Sequence, residues 1–113
     1  MEKSFYLNLI NKNNKVFIIS KDNCPLCVKA KELYETIDVE YQIYNCEDTT
    51  NDNKENIIDF KEEMKQHTGG KMFPFCYINS KYIGGYKELE NLLITGKLKE
   101  LLNEIGIDYE EDF

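Results

Sequence analysis

Apolar positions along the chain switch repeatedly between helical spacing and short continuous runs, and the switches mark the elements. Residues 2–12 carry Phe5, Tyr6, Leu9 and Ile10 at helical spacing, which predicts a short amphipathic helix before the first strand. Val16-Phe17-Ile18-Ile19 is an unbroken apolar run and reads as a buried strand ending at Ser20. Over residues 28–37 the positions Ala30, Leu33, Tyr34 and Ile37, together with Cys27, fall on one helical face; residues 40–44 then read as a second strand. A helix between two strands makes them parallel. Beyond a polar, turn-forming stretch at 45–53, Ile57, Phe60 and Met64 form another helical stripe that stops at Thr68-Gly69-Gly70, a normal helix end. Residues 74–78 and 81–83 flank Asn79-Ser80 as a hairpin, and Gly84-Gly85 breaks its second arm. Leu89, Leu92, Leu93, Leu98, Leu101, Leu102 and Ile105 close the chain as one or two helices with a break near Gly96. The order α-β-α-β-α-β-β-α-α predicts a four-stranded mixed sheet with helices on both faces.

Composition narrows the class. The chain of 113 residues, 42% of them hydrophobic, is expected to form a single domain over 1–113 around one core, with residues 1–13 as its N-terminal helix. Its formal charge of -7 argues against nucleic acid or an anionic membrane surface as partner, since both need a basic face. Acidic residues gather in Asp108-Tyr109-Glu110-Glu111-Asp112, so 108–113 is expected to be a solvated acidic tail. Neither a basic stretch followed by an apolar run at the start nor about 18 consecutive apolar residues anywhere is present, and a soluble cytoplasmic monomer is the expectation. Thiols are kept reduced in that compartment, so the four cysteines read as reactive or buried and not as a disulfide framework.

Cys24-Pro25-Leu26-Cys27 carries the chemistry. The pair follows a strand and opens a helix, where unpaired amide N–H groups and the aligned peptide dipole favour a thiolate on the first cysteine. Pro25 in the first turn sacrifices no hydrogen bond. A structural disulfide over so short a loop would remove little unfolded-state entropy. A zinc site needs two further ligands, and Cys46, Cys76 and His67 are scattered singly with no second paired motif, so no metal is expected. Redox exchange is the reading the spacing favours.

Three separated segments, Lys21-Asp22-Asn23-Cys24-Pro25-Leu26-Cys27, Thr68-Gly69-Gly70-Lys71-Met72-Phe73-Pro74 and Gly84-Gly85-Tyr86-Lys87-Glu88, occur in order and spacing similar to the glutaredoxins. They resemble that family's K-x-x-C-P-Y-C active site, its T-G-x-x-T-V-P loop and its G-G-x-x-D turn, and the likeness spans about residues 16–107. The resemblance implies a thioredoxin-like fold, a cis Phe73-Pro74 bond facing Cys24, and glutathione as electron donor and co-substrate. It assigns Cys24 as nucleophile and Cys27 as resolving thiol. Residue 73, extended because it precedes proline, is implied to offer its backbone to the cysteinyl part of glutathione. Gly84-Gly85 lets the chain turn so that the N–H groups of Tyr86 and Lys87 point at an anion, which the resemblance implies is the γ-glutamyl carboxylate of glutathione, and a side chain at Gly85 is expected to damage that turn. Lys21, Lys61 and Lys71 are the implied cations for the glycyl carboxylate. The implied partners are glutathione and glutathionylated or disulfide-containing proteins.

The chain departs from the family pattern at Leu26 for tyrosine, Met72-Phe73 for T-V and Glu88 for aspartate. These changes bear on rate and substrate preference. Cys76 is expected to be a small buried hydrophobe, Cys46 to be exposed just past the second strand, and His67 to cap a helix or join the core. Two alternatives stay open at this point: a thioredoxin-type reductase, against which the absence of tryptophan counts, and a glutathione-ligated iron-sulfur scaffold, against which Pro25 counts.

Overall fold

The computed structural model describes residues 5–47, 57–70 and 72–110, with side chains from 60 onward in the second segment and from Tyr6 in the first. Among the described residues nine elements follow one another: α1 (Phe5–Lys12), β1 (Val16–Ser20), α2 (Pro25–Thr36), β2 (Gln42–Asn45), α3 (Ile57–Thr68), β3 (Phe75–Ile78), β4 (Lys81–Gly84), α4 (Tyr86–Thr95) and α5 (Lys97–Asn103). The expected order of elements and the four-stranded mixed sheet are both present. Strands run β2-β1-β3-β4, with β1 parallel to β2 and antiparallel to β3, and β3 antiparallel to β4. The second strand begins two residues later than its expected start, at Gln42, and as an edge strand it is only partly covered.

Period-two alternation divides the core. Val16 and Ile18 of β1, with Cys76 and Ile78 of β3, face one side and pack against Ala30, Leu33 and Tyr34 of α2, Leu89 of α4, and Leu98 and Leu102 of α5. Phe17 and Ile19, with Phe75 and Tyr77, face the other side and meet Tyr6 and Ile10 of α1 and Phe60 and Met64 of α3. Because β1 is central and covered on both faces, all five of its residues are buried, which is why it reads as an uninterrupted apolar run.

The N-terminal helix is fastened to this second face. Tyr6 Oη lies 2.7 Å from Tyr77 Oη, the Tyr6 ring stacks on His67 with centroids 5.3 Å apart, and the Ser80 hydroxyl donates to the Ile10 carbonyl. His67 therefore packs on Tyr6 at the end of α3 and pairs with Glu63 at 3.8 Å. Asn79 and Ser80 both have positive φ, 56° and 63°, the geometry of the tight two-residue hairpin turn whose twist matches its strands. Gly96, at φ 81°, ends α4 and starts α5.

One expectation is corrected here. Within the stretch expected to be a solvated acidic tail, Tyr109 is buried against the α2, α4 and α5 core, held by Lys99, which donates to the Tyr109 carbonyl and pairs with Asp108 at 2.8 Å. Its ring supplies enough apolar area to outweigh the acidic neighbours, of which Asp108 and Glu110 stay exposed. Residues 111–113 lie outside the described residues. Among the described residues, no helix is long and apolar enough to cross a membrane.

Candidate active site

Cys24 is the N-cap of α2, with extended backbone, and Pro25 occupies the first helical turn. This is the local consequence of ending a buried strand at Ser20 and starting a helix with a residue whose φ is already helical. The Cys24 carbonyl accepts from the N–H groups of Cys27 and Val28 at 3.1 and 3.2 Å, and its Sγ accepts from the Cys27 N–H at 3.2 Å. Cys24 and Cys27 are joined as a disulfide with Cα atoms 5.2 Å apart. Their exposure differs: Cys24 is half-buried at the mouth of a cleft, whereas Cys27 is 2% exposed on the inner face of the helix. An incoming sulfur meets Cys24 first.

The cleft beside Cys24 encloses about 410 Å³ and is lined by Lys21, Cys24, Leu26, Lys61, Lys65 and Phe73, among others. The Phe73-Pro74 bond is cis, as expected. The β1–β3 ladder ends at the Ile19–Phe75 pair, so Phe73 lies two residues past the last rung and its backbone is not committed to the sheet. The Phe73 ring stands edge-on to Phe75, with centroids 5.0 Å apart. Lys21 Nζ lies 5.6 Å and Lys61 Nζ 6.0 Å from its centroid. Two of the three lysines drawn from the sequence thus share one cleft with the thiol. Lys71 lies outside the described residues.

At the opposite end of the loop, Gly85 caps α4 with extended backbone, and its N–H donates to Glu88 Oε1 at 2.7 Å. A Cβ on Gly85 would sit 3.4 Å from the Pro74 carbonyl oxygen, so the glycine turn and the cis proline are in contact. Tyr86 is half-buried and Lys87 exposed at the start of α4. The conformational demand falls on the other glycine: Gly84 has φ 121°, whereas Gly85 at φ -92° is in a region open to any residue. The expectation that Gly85 carries the strain of the turn is therefore corrected. Glu88 closes the turn by accepting the Gly85 N–H.

Sequence reasoning missed Glu47 and Lys65. Lys65 is one helical turn beyond Lys61 and lines the same cleft, a spacing that would have pointed to it. Glu47 pairs with Lys61 at 2.9 Å and also accepts the Asp22 N–H at 3.1 Å. No sequence signal marks it, because its partners lie 14 and 25 residues away.

Cys46 is corrected from exposed to buried. It is 2% exposed in the α1 and α3 core, its N–H donating to the Ser20 carbonyl, which carries the β1–β2 ladder one residue further. Burial raises its thiol above the ordinary value, and burial pushes the Cys76 thiol up to about 12. The two lie on opposite faces of the sheet, so they do not converge with each other on a metal or a disulfide. In a native Cys24→Ser, Cys27→Ser protein, a thiol reagent should leave Cys46 and Cys76 unmodified, and both should label on unfolding. Rapid labelling of either in the native state, read by intact mass, would contradict this burial.

A sequence profile described as glutaredoxin matches residues 16–83. The chain belongs to the glutaredoxin family. Glutaredoxin-1 of Saccharomyces cerevisiae is 37% identical over 94 residues, covering 81% of this chain and 83% of that protein. Glutaredoxin-1 of Homo sapiens is 29% identical over 101 residues, 89% of this chain and 93% of its own length. A crystal structure of a buckwheat glutaredoxin-glutathione complex superposes with a TM-score of 0.78 at 25% identity, over 90% of this chain and 87% of that one. Oxidised glutaredoxin 2 from Chlamydomonas reinhardtii gives 0.72 at 33% identity, over 94% and 98%. The fold is thus thioredoxin-like with an added N-terminal helix. The cysteine pair makes this glutaredoxin a thiol-disulfide oxidoreductase.

Proposed function

We propose that this glutaredoxin reduces mixed disulfides between glutathione and proteins or small thiols, acting as a cytoplasmic monomer with glutathione as electron donor. The observation that carries the reading is the half-buried Cys24 at the head of α2, opening into a cleft that also holds Phe73, Lys21 and Lys61. A tripeptide with carboxylates at both ends suits a site with lysines on one side and a helix N-terminus on the other. The similarity to a glutaredoxin solved as its glutathione complex supports the same ligand class.

In this mechanism the Cys24 thiolate attacks the glutathione sulfur of the substrate. The substrate S–S bond breaks, the partner leaves as a thiolate that takes a proton from water, and Cys24 is left glutathionylated. The thiolate of a second glutathione then attacks the glutathione sulfur of that adduct, releasing glutathione disulfide and restoring the Cys24 thiolate. Alternatively Cys27 attacks Cys24 Sγ, expelling glutathione and forming the Cys24–Cys27 disulfide, which two glutathiones reduce again. Helix N-terminal N–H groups stabilise the Cys24 thiolate as leaving group as well as nucleophile. Lys21 and Lys61 receive the glycyl carboxylate, with Lys71 as a third cation; the Phe73 backbone pairs with the cysteinyl unit next to Pro74; and the Gly85, Tyr86, Lys87 and Glu88 turn receives the glutamyl end.

The test is reduction of a small glutathione mixed disulfide, following NADPH consumption with either glutathione and glutathione reductase or thioredoxin reductase as electron source. Turnover is expected with the glutathione system alone. Turnover supported only by thioredoxin reductase would replace this reading with the thioredoxin one.

A further inference from the structure

Glu47 is the one acidic side chain bonded to a lysine of the cleft among the described residues. Its Oε2 accepts from Lys61 Nζ at 2.9 Å while Oε1 accepts from the Asp22 N–H, two residues before the nucleophile. Asp22 in turn accepts from Asn45 Nδ2 at 2.8 Å, and Asn45 Oδ1 accepts from the Glu47 N–H at 2.9 Å. This ring ties the loop carrying Lys21 and Cys24 to the end of β2 and to α3. The Lys61 bond, as the largest cause, holds the Glu47 carboxyl below its ordinary value, and Lys21 adds to this through space. Glu47 is thus ionised at neutral pH, and its charge faces the lysines assigned to the glycyl carboxylate.

We propose that Glu47 sets the affinity of the cleft for glutathione by holding Lys61 in a carboxylate pair, so that an incoming glycyl carboxylate must share a cation already partly neutralised. This deepens, and rests on, the glutathione reading above. The pair leaves Lys61 lining the cleft, since its ammonium remains 6.0 Å from the Phe73 ring while bonded to Glu47. Glu47 therefore does two separable things. It positions Lys61, which needs only a hydrogen-bond acceptor, and it repels the ligand's negative end, which needs a charge. With side chains 28% and 33% exposed, the pair is in contact with solvent, so the repulsion is modest and screened by salt. A cleft with only cations would bind glutathione and its disulfide more tightly and release the product more slowly. Glu47 moderates that binding.

Glu47→Gln removes the charge and keeps one acceptor oxygen, which serves Lys61 or the Asp22 N–H. KM for a glutathione mixed disulfide should fall about two- to fivefold at low salt, the worth of one exposed charge pair. The fall should vanish at high salt, where the Debye length shrinks to about 3 Å. It should also vanish for the same substrate with its glycyl carboxylate blocked as an ethyl ester, a readout that a merely structural role would not move. A KM that is unchanged, or that shifts equally for blocked and unblocked substrate, overturns the role of Glu47. Failure of the wild-type protein to turn over the unblocked substrate at all would instead overturn the underlying glutathione reading.

Discussion

Cys24→Ser should lose glutathione-dependent thiol transfer by at least on the order of 10³-fold, because a hydroxyl at that position ionises far too weakly to attack a disulfide. Cys27→Ser should keep most of its activity on glutathione mixed disulfides, since a second glutathione can resolve the Cys24 adduct. It should fail with protein disulfides that need both thiols. The asymmetry follows from geometry: Cys24 heads α2 at the cleft while Cys27 is buried beneath it. Parallel assays of the single variants with a glutathione mixed disulfide and with a protein disulfide decide the matter. Equal loss in both single variants on the mixed disulfide would refute the division of labour between nucleophile and resolving thiol.

Gly84→Ala should be the more damaging of the two glycine substitutions. A Cβ there would stand 2.5 Å from Glu88 Cβ and 2.6 Å from its Cγ, on a backbone with φ 121°. Left-handed strain and overpacking together should cost about 3 kcal/mol. For a domain of this size, that is a fall in Tm of roughly 10–15 °C. Glu88 must move to admit the methyl group, which breaks its bond to the Gly85 N–H and opens the turn beside Pro74, so turnover should drop below what stability alone explains. Gly85→Ala meets only Glu88 Oε1 and the Pro74 carbonyl oxygen, both at 3.4 Å, at an unstrained φ, and should shift Tm far less. Thermal unfolding of both variants tests this. A Gly85→Ala protein melting lower than Gly84→Ala would reverse the assignment.

The residues legible in the sequence are those whose role is set by near neighbours. Cys24 heads its helix because a strand ends at Ser20 and Pro25 starts a turn; the hairpin at Asn79-Ser80 and the break at Gly96 are likewise local. The motif around Phe73-Pro74 could be read because its segment resembles a family loop, and the cis bond follows that resemblance. Cys46 was misread for lack of this kind of cue. Its burial depends on β1 pairing one residue further along β2 and on α1 and α3 covering that face, none of which leaves a mark on the polar stretch that follows it.

By itself, then, the sequence determined the order of elements, the burial of β1 through its unbroken apolar run, and the position of the reactive pair, because hydrophobic spacing and turn chemistry act over a few residues. Tertiary structure alone decided which face of the sheet each strand residue covers, that Glu47 pairs with Lys61 across 14 residues, that Gly84 and not Gly85 needs the unusual backbone, and that Tyr109 returns to the core. Each of these depends on distances between elements set by packing two helical layers on one sheet, and a charge or a ring has no preferred partner in the chain until that packing brings one within reach.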